Sequence, residues 1–285
     1  MNKNNGSTQL PWLNLDFMQS PPARLLRILA EYLEPAERLR QARIRDTIVF
    51  FGSARSISLS DAEQRLQSIH ARCGDNCALP PELELQKQQA QAAFRLARYY
   101  DQATELAQRM TEWSKSLTHN RHFIICSGGS GGMMEAANRG AAKARGKSIG
   151  LHIHLATEEN PNRFVSPSLV FNFHYFFMRK FWFLYPAKAL VVFPGGFGTF
   201  DELFEVLTLI QTKKPRKTMP VVLFGAEFWD EVLNFDALAE WGVINRTDLD
   251  LFLKTDSVDE AFTYLTTRLA ELYLSPEKLA EVKLT

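Results

Sequence analysis

The residues best suited to chemistry lie between Phe193 and Glu202, where Pro194-Gly195-Gly196-Phe197-Gly198-Thr199 is followed closely by Asp201 and Glu202. Glycines let a backbone approach an anion closely. The first amides of a helix add free N–H groups and the positive end of the dipole. The stretch therefore reads as a phosphate cradle, and Glu202, one turn into the expected helix, as a general base or a stabiliser of developing positive charge. The competing reading is a capping box, Thr199-x-x-Glu202, which satisfies two amides with no ligand. The two exclude each other, because a carboxylate bonded to its own helix start does not face a ligand. The glycines favour the cradle, since each weakens the local chain by about 0.5–1 kcal/mol and an ordinary helix start needs none of them.

Two further turns carry unusual residues: Gly52-Ser53-Ala54-Arg55, and Ser127-Gly128-Gly129-Ser130-Gly131-Gly132 leading into Met134 and Glu135. Neither glycine cluster fits a dinucleotide fingerprint, since Asp201 and Met134 stand where the third glycine belongs. A near-Walker string from Gly140 to Ser148 has the wrong spacing and runs from helix into strand, the reverse of a P-loop. Arg179 and Lys180 sit inside the most aromatic segment, Phe173 to Phe183. They either snorkel from a buried helix or, for Arg179, grip phosphate or carboxylate with a planar fork. His152 and His154 share one side of a strand but have no third ligand at metal-site spacing, and His70, Cys73 and Cys77 lack a second ligand pair. No metal is expected. Cys126 ends a strand and reads as a small core residue.

Short apolar strands alternating with helices must position these turns. Strands are expected at Thr47–Phe51, His122–Cys126, Ser148–Leu151, Leu169–Phe173, Ala189–Phe193, Val221–Phe224 and Leu251–Leu253. The intervening helices are expected at 81–117, 131–145, 175–184, 199–212, 228–239 and 258–272. The fold class is α/β: a doubly wound, mainly parallel, Rossmann-like sheet with helices on both faces and an N-terminal helical extension. Ligands of such sheets sit at the carboxyl ends of the strands, so the three turns can converge. Residues 1–45 form a tail and helical extension in which Pro35 is expected to break the helix. Residues 46–285 are expected to form the Rossmann-like domain that carries the three turns, with an irregular insertion over 56–80.

With 285 residues, 46% of them hydrophobic, the chain can bury a full core, and its net charge of +1 gives no global reason to expect nucleic acid or a membrane as partner. No apolar run reaches the roughly 18–20 residues of a membrane helix. Three cysteines, with neither a basic n-region nor an apolar h-region at the start, lead to the expectation of a reducing cytoplasm. The apolar segment 171–185 implies a homo-oligomer.

Three motifs together, Gly128-Gly129-x-Gly131-Gly132-x-Met134-Glu135, Phe176-Phe177-Met178-Arg179-Lys180 and Pro194-Gly195-Gly196-x-Gly198-Thr199-x-x-Glu202, resemble the Lonely Guy family over roughly Thr47 to Leu272. That family comprises nucleoside 5′-monophosphate phosphoribohydrolases that release cytokinin bases and are often mislabelled lysine decarboxylases. The resemblance implies that Arg179 and Glu202 are the catalytic pair and that Gly195, Gly196, Gly198 and Thr199 hold the phosphate. It places Gly128, Gly129, Gly131, Gly132, Met134 and Glu135 along the ribose and base, with Gly52, Ser53 and Lys180 also lining the site. It implies no cofactor and a nucleoside monophosphate as the small-molecule partner. Phe176-Phe177 stands where short members carry Met-His, and the long insertion and N-terminal extension look more like the longer branch. The alternative on the same scaffold is a nucleotide sensor or molybdenum-cofactor carrier that holds its ligand without turnover.

Overall fold

The computed structural model describes residues 10–73, 80–117, 122–154, 160–212 and 218–275. Residues 1–9 of the expected tail, and Cys77, lie outside them. Seven strands, β1 (Asp46–Phe51), β2 (Phe123–Ser127), β3 (Ser148–Ile153), β4 (Val170–Phe173), β5 (Ala187–Val192), β6 (Val221–Phe224) and β7 (Leu253–Thr255), form one sheet. Their order is β4-β3-β2-β1-β5-β6-β7 and every pairing is parallel. The chain builds outward from β1 through β4, then crosses back to lay β5 against the other side of β1. The crevice between the carboxyl ends of β1 and β5 is therefore the switch point, where open α/β sheets bind ligands.

Alternate residues of the central strands serve two cores, as period-2 geometry requires. Ile48, Phe50, Ala189, Val191, Val222 and Phe224 face α4 (Pro81–Ser116), α5 (Met133–Lys143) and α10 (Val258–Tyr273). Val49, Phe51, Leu190, Val192, Val221 and Leu223 face the opposite layer. That layer contains α2 (Arg24–Gln41), α6 (Phe176–Leu184), α7 (Phe197–Gln211), α8 (Ala226–Val232) and α9 (Phe235–Glu240). The short α1 (Leu15–Gln19) precedes α2. Small residues let the α4 and α5 backbones close in: a Cβ on Gly140 would overlap the Thr104 carbonyl and lie 2.8 Å from the Ala107 Cβ.

The insertion is not irregular throughout, because Leu59–Cys73 forms α3. Polar composition hid it, since the helix keeps only a thin apolar stripe, of which Ala62 and Ile69 are buried. Pro35 does not break its helix either; α2 runs through it. Proline removes the donor that would serve the carbonyl four residues back, which is Glu31. That carbonyl accepts instead from the Trp182 indole Nε1 at 2.9 Å. The helix expected over 228–239 is two, because Asn234 accepts from the Ala237 amide at 2.9 Å and starts α9 anew. The last strand lies two residues later than expected, behind a 3-10 turn at Arg246–Leu251. Among the described residues no helix is long and apolar enough to cross a membrane.

Candidate functional site

The three glycine turns meet at the switch point and are tied by backbone hydrogen bonds. Ser53, after β1, donates its amide to the Pro194 carbonyl after β5 at 2.9 Å. The Met133 amide, at the start of α5, donates to the Ser53 carbonyl at 2.9 Å. Close fit explains two glycines. A Cβ on Gly52 would lie 2.6 Å from Met133 Cγ, and Gly132, at φ 66°, packs against the Ser53 carbonyl and Ala54 backbone where no side chain fits. Gly128 lies against the Met134 side chain, Gly129 against the Gly150 backbone, and Gly131 sits half-buried at the tip of the second turn.

The third turn is built differently. Gly195 is close-packed, because a Cβ there would overlap the Thr199 hydroxyl, but Gly196 and Gly198 have open space where a Cβ would stand. Gly196 is the N-cap of α7 and no side chain caps the helix start. The amides of Phe197 and Gly198 therefore lack an intrahelical acceptor. Thr199 is inside the helix, so it is not the N-cap, and the capping-box reading fails.

Glu202 lies in the second turn of α7, 3% exposed, with its Oε2 buried and without a hydrogen-bond partner. Burial pushes its pKa up to about 7, against the pull of the nearby Lys180 and Arg179 cations. Arg179, on α6, is partly buried between the Phe176 and Phe183 rings, with ring centres 5.4 and 5.6 Å from its guanidinium carbon. Its Nε has no partner; burial lowers its pKa, and the charges of Glu202 and Asp201 oppose that. The two side chains sense each other's charge without a direct ion pair. Lys180 is engaged, paired with Asp201 at 3.0 Å and Glu205 at 2.8 Å. Glu135 is engaged as well, accepting from the Tyr100 hydroxyl at 2.8 Å.

Sequence reasoning overlooked Asn138, Asn162 and Tyr100. Asn162 Nδ2 donates to the carbonyls of Gly129 and Ser130 at 3.0 and 2.9 Å, fixing the second turn from a loop beyond β3. The Ser127 hydroxyl, which accepts from the Gly129 amide, bonds the buried Asn138 at 2.8 Å. A lone asparagine before an arginine, as at Asn138 and Asn162, gives no signal of such a role. Cys126 is a buried thiol whose pKa burial pushes up, consistent with the core role expected of it. Among the described residues no group of three His, Cys, Asp or Glu side chains could hold a metal.

Residues 134–265 match a family model described as "Possible lysine decarboxylase". The chain is 27% identical over 156 residues to the probable cytokinin riboside 5′-monophosphate phosphoribohydrolase LOG4 of Oryza sativa subsp. japonica. It is 28% identical over 153 residues to the cytokinin riboside 5′-monophosphate phosphoribohydrolase LOG2 of Arabidopsis thaliana. The resemblance to the Lonely Guy family stands. These matches take in 53% and 52% of this chain and 66%, just under two thirds, of each Lonely Guy relative. Among solved structures, the Moco carrier protein from Chlamydomonas reinhardtii is 20% identical, with 80% of this chain and all of that chain covered, at a TM-score of 0.45. The molybdenum cofactor binding protein from Rippkaea orientalis is 15% identical, with 78% and 97% covered, at 0.44. Likeness at that level carries no ligand over to this chain.

Proposed function

We propose that this chain hydrolyses the N-glycosidic bond of purine nucleoside 5′-monophosphates, cytokinin nucleotides among them, giving free base and ribose 5-phosphate. The observation that carries the reading is Glu202: a buried carboxylate oxygen with no protein partner, titrating near 7, on the helix whose uncapped start bears Gly196 and Gly198. A structural carboxylate is normally satisfied, and one held this way suits proton transfer at neutral pH.

The phosphate occupies the amides of the Pro194–Thr199 turn, supplying binding energy remote from the bond that breaks. The C1′–N bond then cleaves with its electron pair leaving on the base, and the sugar passes through an oxocarbenium-like state that the Glu202 carboxylate stabilises. Glu202 takes a proton from water as the water oxygen bonds C1′, and that proton passes to solvent. The departing base gains one proton, so one water is consumed in all. Arg179 acts by its charge, favouring the ionised form of Glu202. The scheme uses no cofactor or metal.

A lysine decarboxylase needs a neutral lysine to form a Schiff base with pyridoxal phosphate. Burial lowers the pKa of Lys180, but its bonds to Glu205 and Asp201 outweigh that and leave it above the usual lysine value. It is a poor nucleophile in that state.

The partner set we propose also includes a second copy of this chain. Phe197, 95% exposed, stands at the start of α7, and Phe176, Phe177 and Tyr185 are exposed along α6. An apolar groove of about 750 Å³ between α6 and α7 is lined by Phe177, Phe181, Leu184, Tyr185, Leu209 and Ile210. Association there would cover the aromatics and shield the mouth of the site. Action on a small soluble nucleotide fits a cytoplasmic setting.

Chromatography of AMP, GMP, CMP and N6-isopentenyl AMP after incubation with purified protein, with adenosine as control, tests the activity. Base release from a purine monophosphate and not from adenosine is expected. Binding by thermal shift with no release from any of them would contradict turnover and favour a sensor or carrier.

A further inference from the structure

Helix α6, which carries Arg179, starts without a cap of its own: the N-cap is Tyr175, no side chain of the helix bonds its first amides, and its first turn holds no acid. The N-terminal extension supplies acceptors for the two amides just before the first residue of α6. Glu31, in the middle of α2, accepts from the His174 amide through Oε1 at 2.8 Å and from the Tyr175 amide through Oε2 at 3.2 Å. The same residue's carbonyl, freed by Pro35, accepts from Trp182 on the far turn of α6 at 2.9 Å. Tyr32 packs its ring 5.5 Å from Phe181 and 6.0 Å from Trp182. One residue of the extension thus holds both ends of a helix of nine residues.

We propose that Glu31 is a positioning residue for the site, fixing the start of α6 and through it the direction of Arg179. The path is short. The Tyr175 amide bonds Glu31, and the Tyr175 carbonyl accepts from the Arg179 amide at 3.1 Å, so the guanidinium hangs from the first turn that Glu31 sets. A carboxylate at a helix start also opposes the positive end of the dipole, which otherwise has no counter-charge on α6. The extension is in this sense part of the site and not a separate arm. The role rests on the reading of Arg179 given above.

Glu31→Ala is expected to lower kcat for AMP by about tenfold or more while KM stays within about threefold, because orientation is lost and phosphate contacts are not. Glu31→Gln keeps one of the two acceptor oxygens and loses the charge, so it should recover only part of the rate. Arg38 holds the later part of α2 by donating to the Val170 carbonyl at 2.9 Å, at the first residue of β4 and not at the start of α6. Arg38→Ala should therefore lower the thermal midpoint yet leave kcat unchanged. Amide hydrogen exchange read without nucleotide separates the two readings, since Glu31→Ala should speed exchange at Met178, Arg179 and Lys180 whether or not the protein is a hydrolase. A wild type that hydrolyses nothing would overturn the activity alone, and the exchange data would still decide the positioning. Unchanged kcat and unchanged exchange in folded Glu31→Ala would overturn the proposal, as would equal losses of kcat in Glu31→Ala and Arg38→Ala.

Discussion

Lys180 on α6 is ion-paired with Glu205 on α7 at 2.8 Å, and Asp201, one residue before Glu202, completes the clasp at 3.0 Å. The clasp joins the helix of Arg179 to the helix of Glu202. Its charges act on Glu202 in opposite senses: Lys180 lowers its pKa, Glu205 and Asp201 raise it. The acidic limb of the pH–rate profile, expected near pH 7, should move up in Lys180→Gln and down in Glu205→Gln. Shifts in the same direction would show that Glu202 is not the group that titrates.

The raised pKa of Glu202 also sets a stability trend. Its folded value of about 7 lies above the ordinary 4.5, so the folded state holds the proton more tightly. The stability this group confers is full below about pH 4.5 and is lost as pH rises through about 7. Glu202→Gln never ionises and should escape that loss. Denaturant unfolding should show the variant gaining on wild type between those limits, by on the order of 3 kcal/mol at pH 8. Parallel stability curves for the two proteins would contradict the burial of an ionisable carboxyl.

Adjacent glycines of the motif should behave differently. Alanine at Gly195 collides with the Thr199 side chain, and about 1–3 kcal/mol of stability should go with it. Alanine at Gly196 meets nothing within 4 Å, so stability should stay within about 0.5 kcal/mol. If phosphate sits against that backbone, Gly196→Ala will instead raise KM for AMP by about tenfold or more. Thermal unfolding and steady-state kinetics on the two variants separate a packing glycine from a binding one.

Much of this could be read along the chain, and what could not has more than one cause. The central strands were legible because Ile48–Phe51 and Ala189–Phe193 are unbroken apolar runs, as expected of strands buried on both faces. The meeting of the three glycine turns was legible from their common place after parallel strands. Pro35 was misread because the acceptor left without a donor finds Trp182, and nothing near Pro35 in sequence announces it. Asn162 was missed because its partners lie more than thirty residues back, at Gly129 and Ser130. Lys180 looked free for a ligand because Asp201 and Glu205 come within reach only once α6 and α7 pack. Pro35, Asn162 and Lys180 are each held by a distant segment, whereas α3 was hidden by its thin apolar stripe and the break at Asn234 is a local cap.

The aromatic face of α6 and α7 gives a further expectation. Light scattering at micromolar concentration should show an oligomer for wild type and a smaller species for Phe177→Asp and Tyr185→Asp, whose charges would be buried unpaired in the interface. A monomeric wild type would refute association through this face.

Free adenine and ribose 5-phosphate should appear in equal amounts when AMP is incubated with wild-type protein. Adenosine should remain intact. Glu202→Ala should release no adenine from AMP while AMP still raises its thermal midpoint. Adenine release by Glu202→Ala at the wild-type rate, or from adenosine as readily as from AMP, would contradict a phosphate-anchored hydrolysis driven by that carboxylate.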